Sequence, residues 1–193
     1  MKAPRLVCGV GINDADFPMS KPVNGKIKKI PSYECWKNML FRCYSPSVLA
    51  KSPCYSGCSV CDEWLSFSAF HEWFEGQHKE PGWHLDKDLL TPGNKCYSPD
   101  SCIFVPQAVN SFTTDNRAKR GDCLIGVNWH KRDKRYRSQC KNPFTGADEH
   151  LGYFTNEQEA HFAWKRRKHE LACQLAETAH DPRLAEALRT RYT

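Results

Sequence analysis

The sequence predicts an α+β fold, with a strand–loop–strand–helix unit followed by a three-stranded antiparallel sheet packed on one helix. Hydrophobic residues make up 40% of the 193 residues and aromatic residues 12%, enough to form a buried core. Short β-prone runs separated by turn signals occupy 84–105 and 123–154. Apolar residues at helical spacing then fill 156–177.

The chain divides into three predicted parts. Residues 1–30, rich in Gly, Pro and Lys, are expected to form an N-terminal arm. Residues 31–112 are rich in Cys and aromatic residues, whereas 121–193 are basic and end in helices. The polar, basic link at 111–122 has a glycine near its end and marks the boundary.

The middle part is predicted to contain three helices and two strands. Ser32 is a suitable N-cap for a helix over about 33–44. A second helix, ending at Gly76, is predicted from four aromatic residues at helical spacing: Trp64, Phe67, Phe70 and Phe74. Two strands joined by a loop are expected in 84–105, with a short helix beginning near Pro106 because proline suits the first helical turn.

The last part is predicted to be three strands and two helices. DCLIGVNWHKRD, KRYRSQCKNP and DEHLGYF are β-prone runs between turn signals, and Thr155 or Asn156 then caps a long helix. Its core-facing residues, with Phe154 beside them, are predicted to be Ala160, Phe162, Ala163, Trp164, Leu171 and Leu175. The basic run 165–168 is expected on its solvated side.

The positive charge of the chain is concentrated in one segment. The formal net charge is +6, while 117–141 alone holds nine Lys or Arg against two Asp, a net charge of +7. A polyanion is the natural partner of such a segment, and a solvated surface strand is the alternative. No apolar run reaches the ~20 residues of a membrane span. The N-terminus lacks a secretory signal pattern, so a cytoplasmic protein is expected, in the host cell cytoplasm if it is phage-encoded.

Eleven cysteines in a reducing compartment favour free thiols or a metal site over disulfides. Cys54, Cys58 and Cys61 are spaced C-x₃-C-x₂-C, and Cys96 follows. Four thiolates can hold a structural Zn²⁺ tetrahedrally. Buried free thiols, which behave as small hydrophobic side chains, are the alternative.

The run YSGCSVCDEWLSFSAFHEWF, PGWHLDKDLL, GNKCYSPDSCIFVP and VN resembles the phage HNH-type homing endonucleases of the ββα-metal (His-Me finger) superfamily. The resemblance covers about 30–112. It implies a DNA endonuclease with one Mg²⁺ or Mn²⁺, for which Asp86 and Asn110 would be the metal ligands. Lys87 occupies the place of the general-base histidine, and Ser101 that of a loop asparagine.

Lys87 leaves the chemistry of this loop open. An ordinary lysine is protonated at neutral pH and cannot accept a proton from water. Burial could lower its pKa, whereas Asp86 and Asp88 on either side favour the ammonium, which could stabilise a phosphorane-like transition state. His84 shares a strand face with Asp86 and is an alternative base. A solvated turn without chemistry is the remaining interpretation.

A second resemblance covers about 122–176, where LIGVNWHKRDKRYRSQC and EHLGYFTNEQEAHFAWKRRK resemble the plant ethylene-response-factor (AP-two-type) DNA-binding domain. It implies that a sheet face enters the major groove of double-stranded DNA. Strand alternation places Arg135, Arg137 and Gln139 on one face, where they could contact bases. The basic residues better placed for phosphates are Lys131, Arg132, Lys134 and Lys141. Trp129 could pack on the DNA backbone or in the core.

Together these features predict an HNH-type endonuclease that recognises its site through the C-terminal domain. The alternative is a DNA-binding protein derived from such an enzyme that has lost the chemistry through the changes at Lys87 and Ser101.

Overall fold

The computed structural model describes residues 6–115 and 122–193. These residues fall into two compact units. The first comprises the chain up to Lys79 together with Leu85–Phe104, and the second comprises Glu80–His84 and Val105–Thr193. Within the predicted boundary at 111–122, residues 116–121 lie outside the described residues. The fold is α+β, as predicted, and the described residues hold six α-helices and several small sheets.

The first unit is built from three helices and short strands. Its elements are β1 (Ser20–Val23), β2 (Lys26–Lys29), α1 (Pro31–Tyr44), α2 (Pro46–Lys51), β3 (Ser59–Val60), α3 (Phe67–Gly76), β4 (His84–Asp86), β5 (Cys96–Tyr97) and β6 (Ile103–Val105). Strands β1 and β2 form an antiparallel hairpin, β3 and β5 pair in parallel, and β4 pairs with β6. Short 3₁₀ turns occupy Pro53–Tyr55 and Asp62–Leu65.

Aromatic side chains form the core between helices α1 and α3. Trp36, Trp64, Phe67 and Phe70 are all fully buried. Trp36 Nε1 donates to the carbonyl of Trp64 at 2.7 Å, which satisfies the indole donor inside the core. The rings of Trp36 and Phe67 lie 5.3 Å apart, so the two helices are joined by direct ring contacts.

The helix starts of the first unit differ in detail from the prediction. Helix α1 begins at Pro31 after Ile30, because proline fits the first turn, so the prediction of Ser32 as its N-cap is wrong. Ser32 is instead buried, with its hydroxyl 2.9 Å from His71 Nδ1. The second predicted helix is divided by Ser66, whose hydroxyl accepts from the Ala69 N–H and caps α3.

The N-terminal residues are partly integrated into the first unit. Ile12 donates to the Leu65 carbonyl at 2.8 Å and accepts from the Phe67 N–H at 2.9 Å. Gly11 is buried against α1, and a Cβ atom there would lie 2.4 Å from Leu40 Cδ1. This segment therefore closes over the core and runs into the hairpin β1–β2.

The second unit contains the predicted three-stranded sheet and long helix. Its elements are α4 (Gln107–Thr113), β7 (Val127–His130), β8 (Arg135–Lys141), β9 (Asp148–Phe154), α5 (Glu157–Glu177) and α6 (Pro182–Thr190). The strands are antiparallel in the order β7-β8-β9, and α5 packs on all three. Asn156 caps α5 through its side chain, which accepts from the Gln158 N–H at 2.7 Å.

Two predictions for the buried side of α5 are wrong. Phe162 is 69% exposed, whereas Trp164 is buried as predicted. Lys168 was expected on the solvated side but is buried, and its Nζ lies 3.6 Å from the centroid of the Phe112 ring. The C-terminal end also contacts α4, since Arg191 Nη2 donates to the Thr113 carbonyl at 3.3 Å. Helix α4 and the C-terminal residues therefore cover the part of α5 that carries Lys168.

Within the part of the chain that the structure describes, no helix is both long enough and apolar enough to cross a bilayer.

Candidate nucleic-acid interface and metal-binding loop

The sheet β7–β9 has two chemically different faces. Val127, Ser138 and Cys140 are buried on the face that packs against α5. The opposite face, here called the outer sheet face, is defined by cross-strand register. It carries Asn128, His130, Arg135, Arg137, Gln139, His150 and Tyr153. The sheet therefore presents a continuous polar surface opposite its helix.

The three residues proposed to contact bases lie on this outer sheet face. Arg135 is paired with His130, Arg137 lies between Asn128 and Tyr153, and Gln139 is paired with His150. A register irregularity follows Ser138, yet Gln139 stays next to His150. The alternation predicted from the sequence places these side chains on one surface.

The two arginines of the outer sheet face have uncompensated charge. Arg135 is exposed and Arg137 is half-buried. Among the residues that the structure describes, neither forms an ion pair with a carboxylate. Arg137 Nε is buried and has no hydrogen-bond acceptor in the described residues. Packing therefore fixes the Nε end of its guanidinium group.

A row of three rings crosses the outer sheet face. The Tyr153 ring centroid lies 5.4 Å from that of His130 and 4.9 Å from that of His150. Tyr153 is 40% exposed. Sequence reasoning had not assigned these residues a role. Regular alternation would place His150 and Tyr153, three residues apart, on opposite faces, and the register irregularity between Ser138 and Gln139 brings both to the outer sheet face.

The turn between β7 and β8 is basic but partly neutralised. Arg132 Nε lies 3.0 Å from Asp133 Oδ1, and His130 Nδ1 lies 3.1 Å from Asp133 Oδ2. The hydrogen bond from Arg132 holds the pKa of Asp133 below its ordinary value. Lys131 and Lys134 are exposed, and Lys134 has a left-handed φ of 48°. Lys141, at the end of β8, is exposed as well.

Trp129 lies on the face opposite the arginines. It is the register partner of Tyr136, and the two ring centroids are 4.8 Å apart. The Trp129 side chain is still 45% exposed. It therefore covers the rim of the helix-packed face and is not enclosed in the core.

In the first unit, Asp86 organises the turn that follows β4. Its Oδ1 accepts the N–H groups of Asp88 at 2.9 Å and Leu89 at 2.7 Å. Burial and the neighbouring charge of Asp88 raise the pKa of Asp86. Two carboxylates thus lie close together at the end of this strand.

The ammonium of Lys87 is bonded inside the same turn. Lys87 is 7% exposed, and its Nζ donates to Asp88 Oδ2 at 2.9 Å and to the Asn94 carbonyl at 3.1 Å. Burial alone would lower the pKa of Lys87, but its hydrogen bond to Asp88 outweighs this and raises the pKa. A protonated lysine cannot accept a proton. Of the alternatives left open by the sequence, this geometry favours an electrostatic role over a general-base role.

Asn94 and Ser101 hold the rest of the loop. Asn94 Nδ2 donates to the carbonyls of Lys87 and Cys96, both at 2.6 Å, and Ser101 Oγ donates to the Cys96 carbonyl at 2.8 Å. Asn94 was not singled out from the sequence. Both side chains therefore hydrogen-bond to backbone carbonyls of the loop and fix its path.

Two further residues were predicted for this site, His84 as an alternative base and Asn110 as a metal ligand. His84 lies in β4 and is half-buried, with Asp86 two positions further along the same strand. Asn110 is half-buried on α4 and belongs to the second unit, whereas Asp86 belongs to the first. The pairing of Asp86 with Asn110 as metal ligands therefore stays a prediction. No group of three or more His, Cys, Asp or Glu among the described residues lies in an arrangement that could hold a metal ion.

The cysteines of the predicted zinc site differ in exposure. Cys54 is exposed, Cys58 is buried, and Cys61 and Cys96 are half-buried. Cys43, which sequence reasoning did not include, is buried on α1. Burial raises the pKa of Cys43 to about 12, and the sulfurs of Cys58 and Cys96 contribute to the rise. Zinc binding stays a prediction.

Comparisons with protein-family models, with curated proteins and with solved structures found no match.

Proposed function

We propose that this chain binds double-stranded DNA through the outer sheet face. The observation that carries the proposal is the alternation along β8, which brings Arg135, Arg137 and Gln139 to the face opposite α5. A two-stranded or three-stranded ribbon fits the major groove of B-DNA, where base edges present distinct donor and acceptor patterns. Arginine can contact guanine with two hydrogen bonds, and glutamine can contact adenine in the same way.

The charges around this face suit the phosphate backbone. Lys131, Lys134 and Lys141 are exposed at the ends of β8 and in the turn before it. Lysine contacts with phosphates position a protein on the duplex without reading sequence. We therefore assign the arginines and the glutamine on the outer sheet face to base contacts, and the lysines around it to phosphate contacts.

Substitution of the arginines tests the proposal. Arg137→Ala and Arg135→Ala should each weaken binding to a selected duplex by about 1–3 kcal/mol, measured by gel shift at fixed salt. Gln139→Ala should relax the preference at one base position. Arg166→Ala is the matched control, because Arg166 is exposed on α5, which covers the other face of the sheet. Equal affinities for the Arg137→Ala variant, the control and the unsubstituted chain would refute the assignment.

A second candidate function is metal-dependent DNA cleavage of the HNH type. The favouring observation is the chain order β4, β5, β6 and α4, a strand–loop–strand–helix order in which Asp86 ends the first strand and Asp88 follows it. Burial and the charge of Asp88 raise the pKa of Asp86, and a divalent cation beside Asp86 would relieve the repulsion from Asp88 further than the ion pair of Asp88 with Lys87 does. Mg²⁺ commonly binds through one or two carboxylates while keeping several waters, so this pair fits a hydrated Mg²⁺ or Mn²⁺. When bound, such an ion would supply an activated water and neutralise phosphate charge.

Cleavage is tested separately from binding. The chain is incubated with duplex DNA and Mg²⁺ or Mn²⁺, and the products are resolved on denaturing gels. Asp86→Ala and Asn110→Ala should abolish cutting and leave affinity unchanged, while Asp100→Ala, an exposed carboxylate in the same loop, should cut normally. If the chain binds but does not cut, the function is that of a DNA-binding protein derived from an HNH endonuclease.

A further inference from the structure

The hairpin β1–β2 in the first unit carries a second basic surface. Its turn is formed by Asn24 and Gly25, both with positive φ, at 49° and 72°. An Asn-Gly pair in this conformation forms the tight turn that matches the twist of a two-stranded ribbon. All of β2 is exposed, so the ribbon stands out from the core.

Register places three lysines on one face of this ribbon. Lys21 is directly opposite Lys28, and Lys26 is two residues from Lys28 on the same strand. Residues two apart share a strand face and lie about 7 Å apart. All three side chains are exposed. We call this surface, formed by Lys21, Lys26 and Lys28, the lysine face.

The lysine face costs the isolated protein free energy. Like charges directly opposite each other destabilise an antiparallel pair. The stretch 17–33 contains four lysines and neither Asp nor Glu. Among the described residues, none of the lysines of this face pairs with a carboxylate. A polyanion would convert this repulsion into attraction.

We propose that the lysine face of hairpin β1–β2 contacts the phosphate backbone of double-stranded DNA. The proposal rests on the proposed function, since it adds a second contact to the same duplex. Lysine is a compact charge that binds phosphate without reading bases, so this contact adds affinity at every sequence. A lipid surface is a poorer match, because the turn is polar and the exposed Ile27 lies on the opposite face from these lysines.

Charge removal from the full chain tests the contact. The triple variant Lys21→Gln, Lys26→Gln and Lys28→Gln leaves Lys29 in place, because its ammonium lies 5.4 Å from the Tyr33 ring centroid. The matched control removes the same charge from exposed side chains elsewhere, through Lys51→Gln, Arg166→Gln and Arg189→Gln. Affinity for a selected duplex and for an unrelated duplex is measured by fluorescence anisotropy between 50 and 200 mM salt. Binding to phosphatidylserine vesicles is measured over the same salt range.

The hairpin triple variant should bind both duplexes about tenfold more weakly or worse at 100 mM salt. The slope of log affinity against log salt should become shallower by about 2–3, because each lost phosphate contact removes ~0.9 from it. The control should keep the slope of the unsubstituted chain. An unchanged slope in the hairpin variant, with Arg137→Ala still impaired, overturns this inference and leaves the proposed function standing. Loss of vesicle binding with DNA binding intact overturns it in favour of a lipid surface. Absence of DNA binding by the unsubstituted chain overturns both.

Discussion

At the scale of single residues, Asp14 joins the N-terminal segment to the start of α3. Its Oδ1 accepts the Ser68 N–H at 2.8 Å, and its Oδ2 accepts the hydroxyls of Ser66 at 2.6 Å and Ser68 at 2.8 Å. A carboxylate is favoured at a helix N-terminus, where free N–H groups leave partial positive charge. Burial is the largest single influence and raises the pKa of Asp14, but the hydrogen bonds from Ser66 and Ser68 together outweigh it and lower the pKa to about 2.

Asp14→Ala should lower the free energy of unfolding by about 1 kcal/mol at pH 7, the usual effect of losing a helix cap. Because the pKa of Asp14 is lowered by folding, its stabilisation is complete above the ordinary value near ~3.9 and is lost as pH falls toward 2. The difference between the two proteins should therefore narrow below pH 4. Urea unfolding followed by tryptophan fluorescence measures this difference in the free energy of unfolding. Asp16→Ala, at an exposed neighbouring position, is the control. A gap that stays constant down to pH 2 would contradict the assignment.

Residue-scale features of the candidate loop could be predicted only in part. The motif places Asp86 at the end of a strand, and the structure has β4 end there. The environment of Lys87 was predictable only in part. Its first acceptor, Asp88, is its neighbour in sequence, but its second, the carbonyl of Asn94, lies seven residues later on a loop whose path is set by side-chain bonds. Sequence periodicity carries no information about such a contact.

At the scale of elements, the packing of α5 on the sheet depends on Gly126, the residue before β7. Gly126 has a left-handed φ of 81°, and a Cβ atom there would lie 2.0 Å from Trp164 Cγ. Gly126→Ala should therefore lower the free energy of unfolding by about 3 kcal/mol or more, since it combines overpacking with backbone strain. Urea unfolding measures the loss.

A matched glycine separates the two contributions. Gly146 also has a positive φ, 71°, but nothing lies within 4 Å of the position that a Cβ atom would occupy there. Gly146→Ala should therefore cost only the strain of about 1–2 kcal/mol. Adding Trp164→Leu to Gly126→Ala should recover part of the extra loss. Equal losses at the two glycines would show that the contact with Trp164 is not what makes Gly126 necessary.

The same helix shows where element-level prediction fails. Apolar spacing identified Trp164 and Leu171 as buried, and both are. It also assigned Phe162 inward, although Phe162 is 69% exposed, and Lys168 outward, although its ammonium lies over the Phe112 ring. Helix α5 is covered by the sheet and also by α4 and the C-terminus, so its buried surface is wider than one stripe. A cation buried against aromatic rings cannot be recognised from hydrophobic spacing.

At the scale of the whole molecule, regular alternation made the second unit more predictable than the first. The strands of the three-stranded sheet are 4 to 7 residues long, and the antiparallel order is confirmed. Strands β3 and β5 have only 2 residues each, and the residues that they pair in parallel are 37 positions apart in the sequence. Neither strand is long enough to show an alternating hydrophobic pattern. Their pairing joins segments far apart in the chain, which no local pattern encodes.

The eleven cysteines give a prediction for the whole chain, because all are free thiols with different burial. In native protein at pH 8, an alkylating reagent should label the exposed Cys54 first. Cys102 should be labelled only on unfolding. Burial raises its pKa to about 12 and keeps it protonated, and a thiol is less reactive than a thiolate. Peptide mass spectrometry should find all eleven labelled in denaturant without reductant, and any shortfall would contradict the free-thiol arrangement. Faster labelling of the buried Cys58 and the half-buried Cys61 and Cys96 after chelation would support the zinc prediction, because a bound metal would protect these thiols beyond their burial.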